Sequence, residues 1–138
     1  GFKLATVPSQ YRGTWYHGDP YSKRARKIVI TEHTVNGDVT YQKVDPNLKL
    51  NRHSEKQNKK YSGNIVLIDT QGNSLKVRGF LDLANLDYQP GQFKNHDCLF
   101  LSYGTDPSVI NGAIFMDKNV ALKYRKYDFT KVKKNRLS

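Results

Sequence analysis

The feature that most limits the possible folds is a succession of short apolar runs, each followed by a turn signal. In residues 75–81 apolar and basic side chains alternate, which places Leu75 and Val77 inward on a half-buried strand. Asn36-Gly37, a strong hairpin signal, separates residues 28–31 from residues 39–44. Strands do not alternate with helices. We predict an all-β fold, an antiparallel up-and-down meander of about eight strands that closes into a barrel. A β-sandwich or another small barrel is the alternative.

Composition supports strands, because nine tyrosines and six phenylalanines suit a pleated, half-buried surface. The 138 residues are enough for one domain. We expect an N-terminal lead-in over residues 1–10, the barrel over 11–129 and a basic tail over 130–138.

Four local interpretations complete the predicted order of elements. A short strand is expected near residues 48–50, followed by an exposed basic loop. Residues 83–86 are ambiguous and fit a helical turn. Pro90-Gly91 is interpreted as a turn. Residues 113–116 and 120–129 are expected to form a final hairpin around Asp117.

Trp15 is the single tryptophan, and Gly13 precedes it by two residues on the same face of the first strand. Such a Trp is a core anchor whose indole N–H needs a partner, and Gly13 leaves room beside it. The Gly13-x-Trp15 opening resembles the lipocalin and wider calycin group. The resemblance implies that a basic residue of the last strand, here Arg125, packs across Trp15 and closes the barrel. It implies a non-enzymatic binding module with an unknown ligand.

The stretch Tyr11-Arg12-Gly13-Thr14-Trp15-Tyr16 also resembles the start of small secreted or surface proteins of lactobacilli and related Gram-positive bacteria. If the barrel holds a cavity, a small apolar ligand is the expected occupant. Besides Arg125, the aromatic candidates to line or plug it are Trp15, Tyr16, Phe80, Phe100 and Phe115.

The net charge of +11 comes from 23 basic against 12 acidic residues. An excess of this size indicates an anionic partner or surroundings. The alternative function is therefore an electrostatic binder of a wall polymer, a lipid surface or nucleic acid, although no specific nucleic-acid signature is present. The candidate anion-binding residues are Lys23, Arg24, Arg26, Lys27, Lys56, Lys59, Lys60, Lys131, Lys133, Lys134 and Arg136.

Residue patterns do not indicate an enzyme, a cofactor or a metal. The histidines lack metal-ligand spacing, and the glycines follow turns rather than strand–helix junctions. Cys98 opens an apolar strand, which predicts a small buried side chain rather than a nucleophile next to His96.

One cysteine permits no internal disulfide, which fits either the cytoplasm or a Gram-positive cell surface. The chain lacks an apolar run of about 18 residues. It begins with Gly1, which fits removal of a signal peptide or lipid anchor. We expect an extracellular or cell-surface location, with the cytoplasm as the open alternative. Oligomeric state is left open by the sequence.

Overall fold

The computed structural model describes residues 2–44, 64–79, 85–104 and 106–132. Within these ranges it contains ten strands, one α-helix (α1, Lys118–Lys123) and two 3₁₀ helices (Ser9–Tyr11 and Phe129–Lys131). The strands are β1 (Phe2–Leu4), β2 (Gly13–Gly18), β3 (Ala25–Ile30), β4 (Thr34–Val35), β5 (Asp38–Lys43), β6 (Ile65–Gln71), β7 (Ser74–Gly79), β8 (Leu86–Phe93), β9 (His96–Ser102) and β10 (Gly112–Phe115).

Nine of these strands close into a barrel. The strands follow the order β5-β4-β3-β2-β10-β9-β8-β7-β6, and β6 pairs again with β5, while β1 adds to β5 from outside this ring. All pairs are antiparallel except β5 with β6, which are parallel. The predicted all-β barrel is confirmed, with one parallel pair in an otherwise antiparallel meander.

The barrel interior is filled by one cluster of apolar side chains drawn from most of its strands. Leu75, Leu99 and Ile114 are fully buried there, and Val77 joins them as the alternation predicted. Lys76 and Arg78 point away from this cluster, since side chains alternate along a strand.

The segment between β1 and β2 closes one end of this interior, and we call residues 5–12 the strap. Ala5, Val7 and Tyr11 are at most 1% exposed and belong to the interior cluster. Backbone bonds fix the strap, because the Ala5 amide donates to the Thr40 carbonyl at 2.9 Å and the Val7 amide to the Glu32 carbonyl at 2.8 Å.

Turn chemistry explains two hairpins. Asn36 and Gly37 both have positive φ, 50° and 88°, as the predicted Asn-Gly turn requires. The strand that this turn joins to β5 is the short β4, and not residues 28–31 as predicted. Lys94 and Asn95, with φ of 48° and 68°, turn β8 into β9.

The predicted turn at Pro90-Gly91 is wrong, because β8 continues through both residues. Pro90 pairs with Leu99 of β9, whereas the pairing of β8 with β7 ends at Tyr88. Pro90 lacks an N–H, and it is tolerated in this strand because no β7 residue pairs with it.

The predicted final hairpin is also wrong, because residues 118–123 form α1 instead of a strand. Asp117 begins the helix as its N-cap, and its carboxylate accepts hydrogen bonds from the amides of Asn119 (2.7 Å) and Val120 (3.4 Å). Val120 and Ala121 are buried against the outer face of the barrel.

A second apolar cluster lies between the barrel wall and the chain that follows β10. It joins Phe93, Phe100 and Phe115 of the wall to Ala121 of α1 and Phe129 beyond it. The predicted strand near residues 48–50, the basic loop after it and residues 83–84 lie outside the described residues; Leu86 begins β8.

Candidate anion-binding surface

Trp15 is a core anchor, as its sequence context predicted. It is 3% exposed within the interior cluster, and its indole N–H donates to the Tyr11 carbonyl at 3.0 Å. Gly13 has a φ of 143°, and a Cβ there would stand 3.0 Å from Cε of Met116 and 3.5 Å from the indole nitrogen. The glycine therefore provides the expected space beside the indole.

Arg125 does not lie on a last strand beside Trp15. It follows α1, and its Cβ stands 2.7 Å from the position that a Cβ on Gly18 would take. Gly18 and Trp15 are three residues apart in β2, so they lie on opposite faces of that strand. Arg125 is therefore outside the barrel wall and Trp15 is inside it.

The other aromatic candidates separate in the same way. Phe100 and Phe115 are buried in the outer cluster, and Tyr16 packs against that cluster. These three rings support the chain after β10 and do not face the barrel interior with Trp15. Phe80 lies outside the described residues.

The first group of predicted anion-binding residues is exposed on the β2–β3 hairpin. Lys23 and Arg24 lie in its turn, and Arg26 and Lys27 lie on β3. Asp19 is the single acid between Gly13 and Thr31. Its carboxylate accepts hydrogen bonds from the Tyr21 amide (2.9 Å) and the Ser22 hydroxyl (3.0 Å), which lower its pKa.

The end of α1 brings two more cations to this hairpin. Gly18 and Ala25 pair at its base, and Gly18 also contacts Ala121 and Arg125. Lys126 follows and is exposed. We use the name basic face for the exposed or partly exposed cations of these two elements: Lys23, Arg24, Arg26, Lys27, Arg125 and Lys126. Arg26 and Lys27 are neighbours on β3, so their side chains leave the strand on opposite sides.

Lys131 is exposed in the second 3₁₀ helix and is not included in the basic face. Lys56, Lys59, Lys60, Lys133, Lys134 and Arg136 lie outside the described residues.

A pocket of about 200 Å³ is lined by the segment after α1 and by residues from both faces of the neighbouring barrel strands, and we call it the helix pocket. Phe115 of β10, which pairs with Tyr16 of β2, is part of its lining. Its polar lining comes from four parts of the chain: His17 of β2, Tyr103 after β9, Asn111 before β10, and Tyr124, Arg125, Lys126 and Tyr127 after α1.

Aromatic contacts hold one wall of the helix pocket. The Phe93 ring lies 5.1 Å from Tyr124 in an edge-on arrangement, 4.7 Å from Tyr127 and 4.9 Å from Phe129, measured between ring centroids. Such pairs contribute about 0.5–1.5 kcal/mol each beyond their buried area. The segment after α1 is therefore anchored at several points.

His17 is half-buried at the other wall. Burial lowers its pKa, and the positive charge of Arg26, its cross-strand partner, lowers it further, while Asp19 opposes the shift. The imidazole is therefore neutral at pH 7, with one nitrogen able to donate and the other able to accept.

A larger cleft of about 520 Å³ lies beside the strap and the ends of β5, β6 and β7. Lys43, Lys76 and Arg78 line it together with Asp69. Lys76 is 3.7 Å from the carboxylate of Asp87, so part of the positive charge of this cleft is already balanced.

Cys98 is 2% exposed in the outer cluster, as the sequence predicted. Burial, and to a lesser degree the charge of Asp97, raise the pKa of its thiol to about 12. A thiol of this kind stays protonated and is a poor nucleophile at neutral pH.

The described ranges contain no group of three or more His, Cys, Asp or Glu side chains suited to hold a metal ion. They also contain no helix that is long and apolar enough to span a membrane.

Sequence reasoning missed the pocket because its walls are distant in the chain. His17 and Asn111 were not singled out as ligands, and Tyr124 and Tyr127 were assigned to a strand. A sequence signal that could have drawn attention to this region is the mixture of basic and aromatic residues over 123–127.

No protein-family model, curated protein or solved structure matches this chain. The barrel is compatible with a lipocalin-like barrel.

Proposed function

We propose that this protein is a non-enzymatic binding module that holds a phosphate-rich anionic polymer on its basic face. The observation that carries the proposal is the contact between the β2–β3 hairpin and the end of α1 at Gly18, because it brings the cations of the hairpin close to those that follow the helix. Several exposed cations can neutralise several phosphates of one polymer chain. The counterions that those phosphates held are then released into solution, which favours binding.

The apolar cluster inside the barrel is the reason for placing the ligand outside. Trp15, Leu99 and Ile114 occupy the space where a lipocalin-like carrier would hold an apolar ligand. Small barrels of about eight strands have interiors that side chains can fill. The basic face therefore agrees better with the charge of the chain than an internal ligand does.

The test is the affinity for long-chain polyphosphate, measured as a function of salt concentration. We expect the affinity to fall steeply with salt. The double charge reversal Lys23→Glu/Arg24→Glu should weaken binding by about tenfold or more and flatten the salt dependence.

Lys3→Glu/Lys118→Glu is the matched control, because it makes the same change of charge at two exposed positions that are not among the six cations of the basic face. It should retain most of the affinity. Equal losses in the two double variants would show an effect of net charge alone and contradict the proposal. Parallel titrations with single-stranded DNA and anionic vesicles show whether another polyanion is preferred.

Two further expectations, about the family of the protein and its location, accompany this proposal. We propose a distant evolutionary relationship to lipocalin-like barrels and to Gram-positive surface proteins. The barrel and the Gly13-x-Trp15 opening support it. A location outside the cell or on its surface would bring the basic face to wall polymers. Protease treatment of intact cells tests the location, since an exposed protein is degraded and an internal one is protected.

A further inference from the structure

The helix pocket has a lining that carries positive charge without an acidic side chain. Arg125 and Lys126 contribute the charge, and His17 adds a neutral imidazole. The cleft near β6 differs, because Asp69 is part of its lining. A concave site with one sign of charge concentrates ions of the opposite sign, so the helix pocket favours an anion.

The guanidinium of Arg125 is only partly satisfied by the protein. Its Nη1 donates to the Leu122 carbonyl at 3.1 Å, which ties the group to the last turn of α1. Its Nε is buried, with no hydrogen-bond partner among the described residues. A buried unpaired N–H is costly. A shift of the side chain towards the pocket would open the edge formed by Nε and Nη2, with which arginine binds carboxylates and phosphates in a two-pronged way.

The remaining polar groups favour a tetrahedral oxyanion over a planar one. Tyr103 and Tyr127 bring hydroxyl groups, and Asn111 brings an amide whose oxygen already accepts from the Tyr103 amide at 2.8 Å. The amide nitrogen of Asn111 is thus left as the donor. A phosphate group presents three strong acceptor oxygens, and donors from several directions suit it better than a carboxylate.

The size of the pocket limits the ligand. At about 200 Å³ it is smaller than the sites of drug-sized ligands, about 300–1,000 Å³. It suits one charged group with a few attached atoms. Resting on the proposed function, we propose that the helix pocket binds a single phosphate ester group, with Arg125 as its main ligand.

The test uses glycerol 3-phosphate as the probe, with binding followed by ¹H–¹⁵N NMR on the full chain. We expect saturable shifts of the amides of Gly18, Gly112 and Ala121, which line the pocket. Arg125→Gln should weaken binding by about tenfold or more, because charged hydrogen bonds are strong. Arg125→Lys should lose less, since it keeps the charge but not the two-pronged contact.

Arg78→Gln is the matched control, because it removes one cation from the separate cleft near β6. It should bind the probe as the wild type does. If Arg125→Gln fails to fold, as judged by Trp15 fluorescence, Tyr127→Phe serves instead and should weaken binding measurably. Shifts that do not saturate, or equal losses in Arg78→Gln and Arg125→Gln, would overturn the inference.

Competition separates this inference from the proposed function. If glycerol 3-phosphate occupies the pocket and displaces polyphosphate, the group that binds there is a unit of the polymer. If it binds without displacing polyphosphate, the pocket takes a free phosphate ester. Polyphosphate binding that persists without any pocket occupancy leaves the proposed function standing and contradicts the pocket alone.

Discussion

At the scale of single residues, neighbours decide what each titratable group can do. Cys98 and His17 both lose solvent, but the consequences are opposite in sign. Burial raises the pKa of the acid Cys98 to about 12 and lowers the pKa of the base His17, because it disfavours the charged form of each. Both groups are therefore uncharged at neutral pH.

The lowered pKa of His17 predicts a dependence of stability on pH. In the unfolded chain the imidazole has a pKa near 6.5, so below that value the unfolded state binds more protons than the folded state. The free energy of unfolding should therefore fall as the pH drops below 6.5, and the fall should end below the folded pKa. Urea unfolding at pH 7.5 and 5.5 measures it.

His17→Gln is the comparison for this experiment, since glutamine does not titrate. Its loss of stability between pH 7.5 and 5.5 should be smaller than that of the wild type. The lowered pKa values of Asp19 and Asp128 act in more acidic solution, below about 3.8, and do not disturb this window. Parallel pH profiles for the two proteins would show that His17 is not the cause.

At the scale of elements, α1 is held to the barrel by a contact that only a glycine permits. A Cβ on Gly18 would clash with the Ala121 carbonyl oxygen and with Cβ of Arg125, because both lie closer than a van der Waals contact allows. Backbone atoms at this separation have to move apart, so the helix position and the shape of the helix pocket depend on Gly18.

Gly18→Ala is therefore expected to destabilise the protein by about 1–3 kcal/mol, the usual cost of overpacking. Gly104→Ala is its control, because a Cβ there would meet the Asn111 side chain at an ordinary 3.7 Å. The control should change stability by less than about 0.5 kcal/mol. Chemical denaturation measures both variants, and equal stabilities would disprove the close contact at Gly18.

At the scale of the whole molecule, the strap completes a barrel that the strands alone leave open at one end. Val7 is 0% exposed in the interior cluster, whereas its neighbour Thr6 is exposed and lines the cleft. The buried Thr40 hydroxyl donates to the Ala5 carbonyl at 2.9 Å, which links the strap to β5.

Val7→Ala is expected to lower the free energy of unfolding by about 2 kcal/mol, because it removes buried methyl groups and leaves a cavity. Thr6→Ala, at the adjacent exposed position, should stay within about 0.5 kcal/mol of the wild type. Urea denaturation followed by Trp15 fluorescence compares them. If both cost the same, the strap does not contribute to the interior as its burial indicates.

The sequence by itself determined the strands that local chemistry specifies. Alternation identified Leu75 and Val77 as buried, Asn36-Gly37 identified the turn that enters β5, and Trp15 was identified as a core anchor. These inferences hold because side-chain period and turn conformation depend on residues that are close in the chain.

The tertiary structure decided the rest. Residues 120–129 were predicted to be a strand, yet residues 118–123 form a helix, which the Asp117 cap and the burial of Val120 and Ala121 against the apolar outer wall favour. Pro90 stays in β8 because β7 ends its pairing before it. The helix pocket joins His17 to Arg125 across more than 100 residues, and the periodicity of a sequence states which residues share a face but not which faces meet.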